Sequence, residues 1–178
     1  FFRELPGVYW AFEPDEMPGG MKVRPEDIVF ECHPQIKGTL EEQRMYSQLV
    51  PLKSVNAEVA RRKEACGTYV AAHVRRTDHW TAGIPPERRT SDESFERFFA
   101  RHPEHTAYLA TDNAATQRRF AARFGRRLLL ERISTRAELR QTEVRDAVVD
   151  LFMCARARVF AGSHGSSFSD TIVHLRAV

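Results

Sequence analysis

The chain has 178 residues, of which 42% are hydrophobic, 29% charged and 10% aromatic. That length suits one domain, or one and a half, with a sizeable core, and the apolar content excludes a largely disordered or collagen-like polymer. The formal charge of +3 comes from 27 Lys+Arg against 24 Asp+Glu, with Arg pairs at 75–76, 88–89, 118–119 and 126–127 scattered along the chain, not gathered into the stripe or tail of a nucleic-acid binder.

Residues 1–38 hold more than half of the prolines and two short apolar runs, Gly7–Phe12 and Asp27–Cys32, that read as strands. Thr39 is placed to cap a helix over Glu41–Leu49, and Ser54 a second helix ending at Cys66, with Pro51 between them. From Thr68 the rhythm becomes regular. A strand at Tyr69–Val74 precedes a helix at Ser94–Arg101, and a strand at Ala107–Ala110 precedes a helix over Asn113–Phe124. Asp112 is the expected cap of that helix and Gly125 its stop. Leu128–Leu130 is the next strand, Arg145–Ala155 the next helix and Val159–Ala161 the last strand. A Gly/Ser turn then leads into an apolar helix, Ser167–Leu175.

This pattern divides the chain into a segment 1–66 of partial or linker-like strands and helices and an α/β domain over 67–178. Strands alternating with helices at this pitch need crossover connections, which predicts a parallel sheet with helices on both faces. In such sheets ligands bind outside the carboxyl ends of the strands.

Cys32, Cys66 and Cys154 are odd in number and far apart, with no Cys-x-x-Cys pair, so neither a disulfide framework nor a structural zinc site is expected. No apolar run approaches the roughly 20 residues of a membrane-spanning helix.

The strand ends carry the chemistry. After the first regular strand comes His73-Val74-Arg75-Arg76-Thr77-Asp78; after the second, Thr111-Asp112-Asn113; after the last, Gly162-Ser163-His164-Gly165-Ser166-Ser167-Phe168-Ser169. The last stretch, a small-residue turn feeding a helix, is either a phosphate cradle of backbone N–H groups and hydroxyls or an N-cap with spare serines. Adjacent side chains on a strand point to opposite faces, so one of Arg75 and Arg76 can face a cleft. The plainer alternative is an ion pair of either arginine with Asp78. Asp150 lies amid Ala147-Val148-Val149 and Leu151-Phe152-Met153. With Asp146 four residues before it, it reads either as part of a wet helix face or as a carboxylate accepting two parallel N–H donors, as guanine presents at N1 and N2.

Three motifs in order, HVRRTD at 73–78, YLATDN at 108–113 and VVDLFMCARARVFAGSHGSSFSDTI at 148–172, resemble the fucosyltransferase superfamily of α1,6-fucosyltransferases, nodulation fucosyltransferases and protein O-fucosyltransferases. The resemblance covers roughly residues 68–176. It implies a Rossmann-like domain, the C-terminal donor half of a two-domain GT-B glycosyltransferase, binding GDP-fucose. By the same resemblance Arg75 falls on the arginine that holds the donor β-phosphate and steadies the leaving GDP, with Arg76 beside it. His73 falls on a residue lining the nucleotide site, Asp150 on the carboxylate that meets guanine, Ser166, Ser167 and Phe168 on the phosphate-binding turn, and Asp78 and Asp112 on supporting acids. No Asp-x-Asp metal motif occurs, so no cofactor or metal is expected. An arginine and a helix N-terminus can neutralise a departing diphosphate instead. The pattern departs from the α1,6 enzymes after Asp78, where His79 replaces a lysine and Gly83 stands near an expected acid; Glu87 is the nearest carboxylate.

The expected activity is inverting transfer of fucose from GDP-fucose to a glycan, lipid-linked or protein hydroxyl. The alternative is a GDP-binding module, or an isolated donor half, that transfers nothing.

Overall fold

A computed structural model of the chain describes residues 45–77, 89–130 and 142–176. The strands are β1 (Tyr69–Val74), β2 (Thr106–Thr111), β3 (Leu128–Leu130) and β4 (Val159–Gly162). The helices are α1 (Lys53–Cys66), α2 (Asp92–Ala100), α3 (Ala114–Phe124), α4 (Val144–Ala155) and α5 (Ser167–Arg176). All strand pairs are parallel, in the order β3-β2-β1-β4. Parallel neighbours cannot be joined by a tight turn, and α2, α3 and α4 lie in the crossovers.

Strand alternation sorts the core into two layers. Tyr69, Ala71, Tyr108 and Ala110 face α1, α4 and α5, where they pack with Val55, Val59, Val149, Met153 and Ile172. Val70, Ala72, Val74, Ala107 and Leu109 face α2 and α3 and pack against Phe95, Phe99 and Phe120. Every residue of β1 is therefore buried, which explains why all of YVAAHV but His73 is apolar. The expected class, an α/β parallel sheet with helices on both faces, is the one observed.

Several element ends differ from the expectation, each for a local reason. Helix α1 begins one residue before Ser54, and its N-cap, Leu52, makes no side-chain capping bond. Helix α2 begins at Asp92, earlier than expected, because Ser91 Oγ accepts from Ser94 N (3.3 Å). Asp92 and Glu93 then sit in its first turn, where acidic side chains favour the helix dipole. Asp112 does not cap α3. Asn113 does, its Oδ1 accepting from Thr116 N at 2.9 Å. The expected strands Gly7–Phe12 and Asp27–Cys32, and the Thr39 cap, lie outside the described residues. Of the helix expected over Glu41–Leu49, Met45–Tyr46 is helical and turns at Ser47–Gln48.

Helix α1, assigned from sequence to the 1–66 segment, buries Val55, Val59 and Cys66 in the same layer as β1 and α4. At the far end of the chain Arg176 Nη1 donates to the carbonyls of Cys154, Ala155 and Ala157 (3.3, 3.1 and 2.6 Å). It thereby satisfies the last turn of α4, whose carbonyls lack helical partners. Cys66 and Cys154 are buried thiols. Burial pushes Cys66 up to about 11 and holds Cys154 well above the usual thiol range, so both stay protonated and unreactive. No helix among the described residues is long and apolar enough to cross a membrane.

Candidate functional site

The chain leaves β1 toward β2 on one side of the sheet and returns in β4 on the other, so the direction of winding reverses between β1 and β4. Loops that leave adjacent strands in opposite directions open a crevice at the carboxyl ends. A cavity of about 350 Å³ lies there. Its walls include His73 and Arg75 at the end of β1, Thr111 and Asp112 at the end of β2, Asp150 of α4 and the turn Ser166-Ser167-Phe168.

Alternation separates the two arginines. Arg75 continues the β1 face that carries His73, and its side chain, 20% exposed, lines the cavity. Its Nη1 donates to Asp112 Oδ2 at 2.5 Å, and its backbone N donates to Ser163 Oγ at 2.9 Å. Arg76 points to the opposite face and does not line this cavity. Its Nε and Nη2 donate to Asp92 Oδ1, the former at 3.0 Å, and its guanidinium lies over the Phe95 ring at 5.8 Å. Among the described residues Arg75 pairs with Asp112 and Arg76 with Asp92; Asp78, whose ion pair with either arginine was the plainer alternative, lies outside the described residues, as do His79, Gly83 and Glu87. Asp112 is buried and takes three donors: Arg75 Nη1, the Arg76 backbone N at 2.9 Å and the Thr77 hydroxyl. A carboxylate so held is a fixed anchor for the guanidinium, not a helix cap.

Behind Arg75, the His73 ring is buried. Its Nδ1 shares a 2.8 Å hydrogen bond with Ser169 Oγ, and its face lies against Phe168 with ring centres 4.5 Å apart. Gly165, at φ +67°, takes the left-handed conformation that turns the chain into α5. Ser166 caps that helix: its carbonyl accepts from Asp170 N (3.0 Å) and its Oγ from Ser169 N (3.4 Å). The first-turn N–H groups of Ser167 and Phe168 have no partner within the helix itself, and both residues line the cavity. Ser166 is thus the N-cap that one of the two readings of this turn expected.

Gly162 lets α5 approach this closely. A Cβ there would sit 2.7 Å from Ser169 Cβ and 2.8 Å from Ser169 Oγ. Gly162→Ala should therefore destabilise the fold by about 1–3 kcal/mol in chemical denaturation, with the Ser169→Gly partner change recovering part of the loss. An alanine variant as stable as its parent would mean that α5 does not pack here.

Asp150 is 5% exposed, which removes the wet-face reading; Asp146, one turn earlier, is the more exposed acid, with a quarter of its side chain accessible. From Val148 through Cys154 helix α4 is buried on all sides, so an acid within that run must have a partner. Sequence reading missed those partners. Tyr108 Oη donates to Asp150 Oδ1 at 2.5 Å, and Arg62 Nη1 lies 4.0 Å from the same oxygen. Burial first, and then the adjacent Asp150 carboxylate, push the Tyr108 phenol well above its usual range, so it remains a donor. Tyr108 occupies the only aromatic position of the β2 motif, the one local sign that something beyond packing was needed there.

No protein-family model matches the chain, and no curated protein does. Among solved structures it is similar to POFUT1 in complex with GDP, with TM-score 0.58 and 12% identity over 79% of this chain and 49% of that one. POFUT1 in complex with GDP-fucose gives TM-score 0.55 and 11% identity over 78% and 46%. NodZ alpha-1,6-fucosyltransferase soaked with GDP-fucose gives TM-score 0.53 and 16% identity over 75% and 46%. The chain spans about half the length of these structures. It has a fucosyltransferase-like, Rossmann-like α/β fold.

Proposed function

We propose that the chain is the donor-binding half of a glycosyltransferase that moves fucose from GDP-fucose to a hydroxyl acceptor with inversion at the anomeric carbon. The observation that carries this reading is the cavity at the β1/β4 reversal, where Arg75, anchored by Asp112, shares a wall with the first turn of α5. A diphosphate seated there meets a guanidinium from one side and the Ser167 and Phe168 N–H groups from another. Asp150 takes the guanine N1 and N2 donors, and the His73–Phe168 pair closes the apolar side of the nucleotide site.

In the reaction the bond between the sugar C1 and the β-phosphate oxygen breaks, and its electron pair stays on that oxygen. The acceptor oxygen bonds to C1 from the opposite face and gives up its proton to a base. Charge grows on the β-phosphate as the sugar departs, and fixed donors stabilise that state more than the bound donor. The same argument makes a metal unnecessary. The acceptor, whether a glycan, a lipid-linked sugar or a protein hydroxyl, meets the sugar from outside the described cavity.

Calorimetry with GDP, followed by a transfer assay with GDP-fucose on the intact protein, tests the reading. GDP should bind more tightly than ADP, and transfer should continue in excess chelator. Failure to bind GDP would remove the donor site; GDP binding without turnover would leave a nucleotide-binding module.

A further inference from the structure

Beneath the Asp150 wall of the cavity, three elements bring polar side chains together in an otherwise apolar layer. Tyr108, at the middle of β2, is fully buried. Arg62, on the inner side of α1, is buried as well and donates from Nη1 to Tyr108 Oη at 3.2 Å and from Nε to Glu58 Oε1 at 2.7 Å. Tyr108 in turn donates to Asp150 Oδ1. The chain therefore runs in one direction, from guanidinium to phenol to carboxylate, and each hydrogen bond polarises the next.

Stability alone does not explain this arrangement. Buried ionic groups can be replaced by apolar ones of similar volume with little loss or with a gain. What the chain of bonds supplies is orientation. The terminal torsion of an aspartate is broad and roughly two-fold, so an untethered carboxylate does not hold one plane. Two parallel N–H donors are met only by a carboxylate whose plane is fixed to within roughly 10–20°. Each carboxylate oxygen has two acceptor sites, so Oδ1 can take the Tyr108 hydroxyl and one N–H of a base together.

We infer that Tyr108, backed by Arg62, is a positioning residue that fixes the plane of the Asp150 carboxylate for a paired N–H edge, and so sets the preference of the site for a 2-amino purine. The inference rests on the donor reading above, in which Asp150 meets the guanine edge.

The test compares GDP, IDP and ADP by calorimetry on the full chain. IDP keeps the N1–H but lacks the 2-amino group, so the GDP-to-IDP affinity ratio isolates the second donor. The native protein should prefer GDP to IDP by about tenfold. In Tyr108→Phe that ratio should fall to within about twofold, while IDP affinity moves far less than GDP affinity. General loosening of the fold would weaken both ligands alike and leave the ratio intact. Arg62→Lys should give an intermediate ratio, because an ammonium cannot hold Glu58 and Tyr108 in one planar fork. It decides the matter alone if the phenylalanine variant does not fold. A native ratio near one, or a ratio unchanged in the folded variants, overturns the positioning role while a GDP-over-ADP preference keeps the donor reading. A native protein that treats GDP and ADP alike overturns both.

Discussion

Arg75→Lys should slow sugar transfer by about a hundredfold or more, while GDP affinity falls much less. Lysine keeps the positive charge but replaces a planar five-donor fork by a point charge. Asp112 decides where that charge goes. Its Oδ2 lies 2.5 Å from Arg75 Nη1, in a buried carboxylate already held by the Arg76 backbone N and the Thr77 hydroxyl. An ammonium at position 75 will be drawn to this oxygen, and it has no second arm to extend toward a phosphate. In the proposed site the α5 N–H groups would still hold the diphosphate in the ground state. The charge that develops on the β-phosphate as the sugar leaves then loses its arginine. Steady-state kinetics with GDP-fucose beside GDP calorimetry separates the two quantities. A variant with weakened GDP binding and undiminished turnover would make Arg75 a clamp only.

Asp150→Asn should weaken GDP by about 2–3 kcal/mol, roughly 30- to 150-fold, and change ADP little. The substitution keeps the shape of the side chain and removes its charge. The Tyr108 hydroxyl, which donates, will select the amide oxygen for itself, leaving the amide NH2 turned toward the base. Guanine would then present two N–H donors to a donor. Adenine has no N1–H, so ADP loses nothing comparable. Competition titrations of GDP and ADP on the same variant measure the difference directly. Equal and small losses for both nucleotides would show that Asp150 serves the Arg62–Tyr108 pair and not the base.

Most of the sheet was legible because β3 is an uninterrupted apolar run and β1 is one broken only by His73, with polar residues at their ends; both were placed with the bounds observed. Alternation also foretold that Arg75 and Arg76 part company. It did not say which faces the cavity, because that depends on which helices cover which face. The cap of α3 was misplaced by one residue for a related reason. Asp112 and Asn113 are equally good caps in isolation, and only the nearness of Arg75, 37 positions earlier, turns Asp112 inward. Asp150 was the hardest to judge. Its i−4 neighbour Asp146 suggested a solvated stripe, whereas the apolar residues on every side of it were the stronger sign of a buried helix. Its partners come from α1 and β2, and no pattern local to α4 could name them. The HVRRTD, YLATDN and GSHGSSF stretches brought three walls of one cavity within reach of the sequence; the roles of Tyr108 and Arg62 behind the fourth, Asp150, came only with the structure.

The sheet order has a further consequence for the path along which the chain assembles. The seam between β1 and β2 joins partners as close as 37 residues apart, such as Val74 and Thr111. The seam between β1 and β4 joins residues 89 apart, such as Val70 and Val159. Loop closure across the longer seam carries an entropy penalty larger by about 0.8 kcal/mol, before any ligand is present. The cavity lies in that longer seam, with Arg75 and His73 on one lip and the Ser166 turn on the other. If the proposed nucleotide grips both lips, it would act as a removable cross-link across the most entropically expensive join in the sheet and draw the chain toward its folded state by mass action.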